Sequence, residues 1–276
     1  MMPSIKLDHV AVALRNWRDG WPLFAGELGG QWRGGGYGPG FAPNQLEFAN
    51  GMRLELLMPN DVHVNDFLAR FLVSNGGPGP HHFTFKVDDI EAAIDACRAA
   101  GIEPVGIDVR FDEWKEAFLH PKATGLGIVV QLAQSAGDHG PSTPPGDFPS
   151  ATRTAGAASL DHVAHAVADL EHALGLFGDL LGGEATDEGG DEACRWVQLA
   201  WPGPGRIRLL APTSRNGGPL VDWLAGRPGR LHHLHLTCDD PGAVSGATQL
   251  ASGAYEVAPD DVTGTRLVLR AQHQAR

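Results

Sequence analysis

Apolar and polar positions alternate along several short stretches of the chain, and a period of two predicts strands. Over Lys6–Leu14, Val10, Val12 and Leu14 lie opposite His9, Ala11 and Ala13. Leu54, Leu56 and Met58 likewise oppose Arg53, Glu55 and Leu57, and Leu46 and Phe48 oppose Gln45 and Glu47. Further on, Phe83, Phe85 and Val87 oppose His82, Thr84 and Lys86, while Ile128, Val130 and Leu132 oppose Val129, Gln131 and Ala133. One face of each strand is therefore an apolar surface for helices to cover. The other face gathers His9, Glu47, Glu55, His82 and Gln131. A sheet divided in this way curls into a cup lined by two imidazoles, two carboxylates and an amide.

The pattern then repeats. Leu7-Asp8-His9-Val10-Ala11 recurs as Leu160-Asp161-His162-Val163-Ala164, and Arg53-Leu54-Glu55-Leu56-Leu57-Met58-Pro59 as Arg206-Ile207-Arg208-Leu209-Leu210-Ala211-Pro212. His81-His82-Phe83-Thr84-Phe85 recurs at nearly the same offset as His232-His233-Leu234-His235-Leu236, and both copies run on to an Asp-Asp pair. Matches at nearly one spacing predict an internal duplication. Each half divides again, with a His-bearing strand opening each quarter at Lys6–Leu14, His81–Val87, Leu160–Val167 and His232–Cys238. Four βαβββ units follow, with strands at Gln31–Tyr37, Gln45–Ala49 and Met52–Met58 completing the first. An amphipathic helix near Val64–Ser74 joins the first two units. The clearest helix is Asp88–Ala100, where Asp88-x-x-Glu91 has the form of a capping box and Gly101 gives the stop. Trp17, Trp21 and Phe24 fall at helical spacing and are expected in the core or an interface. Gly34-Gly35-Gly36 precedes no helix start, so it is expected at the cup edge rather than around a phosphate. Residues 136–158, rich in small residues, Pro and Gly, read as a linker.

Composition narrows the possibilities. The 276 residues suffice for two domains. Lys+Arg 21 against Asp+Glu 33 leaves a formal charge of −12. With no basic excess to displace phosphate counterions, nucleic acid and anionic membranes are not expected partners. No apolar run approaches the ~18–20 residues of a membrane helix, and the start lacks the basic and apolar regions of a signal peptide. Cys97, Cys194 and Cys238 show no CxxC spacing; they are expected as small apolar residues in a reducing, cytoplasmic compartment.

Buried imidazoles and carboxylates are costly unless paired or metal-bound, and their oxygen and nitrogen donors suit Zn, Fe, Co, Ni or Mn. The segments LDHVAVAL, RLELLMP, HHFTFKVDDIEAAIDACRAAGI and FLHPKATGLGIVVQLAQ resemble the signature strands of the vicinal-oxygen-chelate superfamily. That superfamily includes glyoxalases, methylmalonyl-CoA epimerases, extradiol dioxygenases and antibiotic-resistance proteins. The likeness is greatest to the epimerase branch, nearly continuous over Ile5–Gln134 and weaker over Leu160–Gln272. It implies an α+β fold of two tandem glyoxalase-like domains. Each would hold two βαβββ units forming a curled, cup-like mixed sheet with helices outside. The implied boundaries are a metal-competent domain at 1–135, the linker at 136–158 and a degenerate domain at 159–276.

By the resemblance, one divalent ion (Zn, Co, Ni, Mn or Fe) is held by His9, Glu55, His82 and Gln131. Related epimerases and glyoxalases carry a Glu at the last position, and an amide can ligate but cannot act as a base. Glu47 is then the first candidate for a catalytic base, with Glu55 the alternative; Glu47 is otherwise a rim carboxylate paired with Arg53 or Lys86. Lys86, Lys122 and Arg53 are the candidate substrate-binding cations. His120-Pro121-Lys122 either meets a phosphate of a CoA-type substrate or forms a surface turn. In the second half, His162 and His233 take the matching places, but Arg208 and Arg270 stand at the other two. Guanidiniums have no lone pair for a cation, so that cup is expected to bind no metal and to serve as a structural partner or an anion site.

The implied function is a metal-dependent isomerase, epimerase or lyase working through a metal-stabilised enolate of a small carbonyl or acyl-thioester substrate. The same site loaded with Fe(II) would instead serve a dioxygenase, and a third reading is a non-catalytic small-molecule binding or resistance protein. A small-molecule substrate is the expected partner, for a monomer or homodimer.

Overall fold

The computed structural model describes residues 4–135, 137, 155–214 and 216–272. Most of the expected linker, 136 and 138–154, lies outside them. The first half contributes β1 (Ile5–Ala13), β2 (Gln31–Gly35), β3 (Gly40–Glu47), β4 (Arg53–Asn60), β5 (Gly79–Val87), β6 (Val105–Phe111), β7 (Trp114–Leu119) and β8 (Val129–Gln134). The second contributes β9 (Ser159–Val167), β10 (Glu184–Gly190), β11 (Cys194–Ala200), β12 (Arg206–Pro212), β13 (Gly229–Cys238), β14 (Ala247–Gln249), β15 (Tyr255–Val257) and β16 (Leu267–Ala271). They form two eight-stranded sheets, ordered β2-β3-β4-β1-β5-β8-β7-β6 and β10-β11-β12-β9-β13-β16-β15-β14. The second order is the first shifted by eight strands. Each sheet is mixed, parallel at β1–β4 and β5–β8 in the first and antiparallel in its outer pairs. This is the expected α+β class of curled, cup-forming sheets.

The apolar face predicted from alternation is buried. Val10, Val12, Leu14, Leu54, Leu56, Phe83, Phe85, Val130 and Leu132 are each fully excluded from solvent. Such burial is worth roughly 1.5–3 kcal/mol per large side chain. Trp17 and Phe24 are buried as expected, but their helix is short. Trp17–Trp21 continues as a π-helical turn over Pro22–Glu27, and Leu170–Leu174 continues the same way over Gly175–Leu180. The helix Phe67–Ser74 does not cover the apolar face. Its Leu68 packs with Ala13 and Leu57, which alternate onto the same side as His9 and Glu55, and Phe41, Phe67, Phe71 and Leu72 surround them. In the second sheet Leu220 and Leu224 meet Ala166 and Leu210 in the equivalent way. One end of each cup-lining face is thus plugged by apolar packing, leaving its polar groups at the other end.

Gly35 lies within β2, beside a register shift after Trp32. A Cβ there would stand 2.5 Å from the Pro43 carbonyl oxygen, so the close approach of β3 requires glycine. Among the described residues the three cysteines are free, and burial pushes the Cys97 and Cys238 thiols up to about 11. No helix among them is long and apolar enough to cross a membrane.

Candidate metal centre

Three adjacent strands at the middle of the first sheet, β4, β1 and β5, supply Glu55, His9 and His82. Ala11 opposes Glu55 across the β1–β4 ladder, so His9 and Glu55 share one face. His9, Glu55 and His82 are 1%, 6% and 5% exposed, and one ligand atom from each lies within 4.8 Å of the others. His9 Nε2 stands 3.5 Å from Glu55 Oε2. Donors bound at about 2.0–2.2 Å to a shared cation are themselves roughly 3.0–3.6 Å apart, so that separation suits a metal as well as an ion pair. Two imidazole nitrogens and a carboxylate oxygen, buried together, form a donor set for a first-row divalent ion. The residues present therefore fit the metal that the sequence implied.

Gln45, on β3 opposite Glu55, orients this set. Its Nε2 donates to Glu55 Oε2 at 3.2 Å and lies 3.5 Å from His9 Nδ1. Gln131 is buried and placed beside the trio by the β5–β8 ladder, where it opposes Thr84, two residues beyond His82. Its Oε1 accepts from Thr84 Oγ1 at 2.6 Å, and its Nε2 donates to Glu116 Oε2 at 2.8 Å. Glu116, on β7, also accepts from Trp114 Nε1 at 2.8 Å. An amide oxygen keeps a second lone pair after one such bond, so Gln131 retains the capacity to ligate. The structure thus adds two residues that the sequence had not singled out. Gln45 already faced inward by alternation, without a chemical reason to choose it. Glu116 belongs to a strand for which no pattern was assigned.

The remaining candidates are placed as follows. Glu47 is held between two guanidiniums, 3.1 Å from Arg33 Nε and 3.3 Å from Arg53 Nε. Lys86 Nζ donates to Ser135 Oγ at 2.7 Å and lies 3.8 Å from the Trp114 ring centre. Lys122 is exposed on the short helix Pro121–Thr124, whose first turn His120 caps by accepting from the Lys122 backbone N–H at 3.1 Å.

In the second sheet Arg208 opposes Ala164, the register place that Glu55 takes opposite Ala11. It donates to Gln198 Oε1 from Nε at 3.2 Å and from Nη2 at 2.7 Å, and its guanidinium lies 4.2 Å from the Trp196 ring centre. Arg270, opposite Thr237, is exposed. His162, His233 and His235 lie together, with one ring nitrogen from each within 4.8 Å of the others. In the sequence His235 is marked only by the repeat.

Residues 8–118 match the glyoxalase/bleomycin resistance protein/dioxygenase superfamily, and they contain His9, Glu55 and His82. Over that stretch the chain is similar to that superfamily. It is 29% identical over 134 residues to the mitochondrial methylmalonyl-CoA epimerase of Homo sapiens, a stretch covering 47% of this chain and 74% of the human one. Its fold is similar to that of a mutant 4-hydroxymandelate synthase from Streptomyces coelicolor, with a TM-score of 0.66 at 14% identity over 98% of this chain and 93% of that one. The likeness to the synthase is one of fold.

Proposed function

We propose that the first cup is the metal centre of an isomerase, epimerase or lyase acting beside the carbonyl of a small carbonyl or acyl-thioester substrate. The observation that carries this reading is the buried convergence of His9, Glu55 and His82. His9, Glu55 and His82 would hold a divalent ion, which would supply Lewis-acid chemistry towards a carbonyl oxygen worth several kcal/mol of barrier. The likeness to a methylmalonyl-CoA epimerase supports the substrate class.

The chain's own residues divide the remaining work. Gln45 holds the Glu55 carboxylate, while Thr84 and Glu116 fix the Gln131 amide in one orientation. Gln131 cannot take a proton, so two-base exchange is disfavoured and the reading leans towards one-base chemistry. Arg33 and Arg53 engage Glu47, whereas Glu55 belongs to the ligand set and Glu116 lies on the Gln131 amide, so Glu55 and Glu116 are the candidates placed to move the proton. Lys86 is the better placed cation for an acyl or phosphate group, since Arg53 is committed to Glu47. We place this machinery in a domain spanning 1–135, followed by a second domain at 159–276, in a protein of the cytoplasm.

The test is proton exchange. Chelator-treated protein is expected to stop exchanging the α-proton of an acyl-CoA thioester for solvent deuterium, and to resume on addition of Co(II), Zn(II), Ni(II) or Mn(II). Exchange that is indifferent to chelators, or absent with every metal, would reject the proposal. A second reading rests on the donor set itself: two imidazoles and one carboxylate also suit Fe(II) for O₂ chemistry. Oxygen consumption by the iron-loaded protein, without proton exchange, would favour it.

A further inference from the structure

Three imidazoles meet in the second sheet, and among the described residues no carboxylate belongs to their cluster. His162 is on β9 and His233 and His235 are on β13, which neighbour each other at the centre of the sheet. His233 and His235 are two residues apart on one strand, so their side chains leave the same face. Their rings are 6.0 Å apart between centroids and tilted by 50°, an arrangement that is not a parallel stack. His162, 3% exposed, completes a set in which one ring nitrogen from each residue lies within 4.8 Å of the others.

We propose that His162, His233 and His235 form a second cation site, for a divalent ion of borderline softness such as Zn(II), Co(II) or Ni(II). Neutral imidazoles select these ions over Mg(II) and Ca(II), which prefer oxygen, and three protein ligands leave a coordination position open. The sequence argued against metal in this cup because Arg208 and Arg270 replace the carboxylate positions. The geometry meets that objection. Arg270 is exposed, and Arg208 donates from two of its three guanidinium nitrogens to Gln198, with the group 4.2 Å from the Trp196 ring centre. His235 supplies the third donor instead.

The charge difference sets an order of affinity. The first set brings one negative carboxylate to the ion; the second brings none, with a fixed positive charge at the register place of that carboxylate. The second site therefore fills after the first. An ion held there keeps its full charge, so its open position suits an anionic ligand.

Co(II) titration of the chelator-stripped full chain, followed by visible absorption and by metal analysis after gel filtration, tests the site independently of any activity. Wild type is expected to bind two ions in unequal steps, His82→Ala one, His235→Ala one, and the double variant none. A wild-type chain that binds one ion and loses it in His82→Ala overturns the proposal, as does a His235→Ala chain that still binds two. Should wild type bind one ion that survives His82→Ala and vanishes in His235→Ala, the second site stands and the reading of the first cup fails. If His235→Ala does not fold, wild type and His162→Gln decide together: two steps in wild type, or a single step lost in His162→Gln, support the site, and a single step that persists in His162→Gln overturns it.

Discussion

Glu55 and Arg208 occupy one register position in two sheets of the same strand order, and they mark how a single side chain sets the character of a cup. Each is gripped by a glutamine on the next strand, Gln45 or Gln198, whose amide presents nitrogen to the carboxylate and oxygen to the guanidinium. Replacing Arg208→Glu should therefore remove a repelling charge, add an oxygen donor and tighten Co(II) at the histidine trio by about tenfold or more. A competition titration against a chromophoric chelator reads this directly, and an unchanged constant would contradict the charge argument. In the first cup, Gln45→Leu removes the bond that orients Glu55 and is expected to weaken metal binding about 10–100-fold, as outer partners of ligands typically do. Chelator competition on this variant, with its melting curve unchanged, separates orientation from damage to the fold. His9, Glu55 and His82 were legible because alternation alone puts them on one side. Gln45 and Glu116 were not, since their roles come from hydrogen bonds across ladders whose register no single strand encodes.

At the scale of elements, alternation marks the histidine-bearing strands nearly to their ends, whereas β3 begins at Gly40 rather than Gln45. Pro43 inside it argues against a strand when read alone, but it has no N–H to donate, and its carbonyl accepts from Gly36 N at 3.1 Å beyond the end of β2. The helix after β5 was also displaced by one residue. Its cap is Asp89, whose Oδ1 accepts from Ala92 N at 3.0 Å, and not Asp88. Two adjacent aspartates offer the same capping chemistry, so the sequence pattern does not choose between them. Asp89→Ala is expected to cost about 1 kcal/mol of folding stability, and Asp88→Ala a few tenths at most. Urea unfolding of the two variants checks the order, and a larger loss in Asp88→Ala would return the cap to Asp88. The last quarter stayed obscure for a different reason. β14 and β15 span only Ala247–Gln249 and Tyr255–Val257, too short for alternation to declare a period.

Over the whole molecule, the repeat makes the two sheets comparable, and the exceptions to the repeat then carry the physics. His165 is one. It lies on the buried side of β9, fully excluded from solvent, where the first copy has the apolar Val12 in β1. Its Nε2 donates to the Leu126 carbonyl oxygen at 2.9 Å. Burial lowers its pKa from 6.5 to about 4, and the Leu126 bond opposes this only partly. The folded state therefore keeps this ring neutral at pH values where the unfolded chain protonates it. Between about pH 6.5 and pH 4 the unfolded state binds the extra proton, so stability falls as pH is lowered through that window and is fully present above it. At pH 5 the loss from this one group is about 2 kcal/mol, since each unit of separation is worth ~1.4 kcal/mol. His165→Gln keeps a donor for the carbonyl but cannot take a proton. Its melting temperature should sit below that of wild type at pH 7.5 and converge on it at pH 5. Parallel curves for the two proteins across that range would show that His165 does not set the acid limit, and that another buried group does.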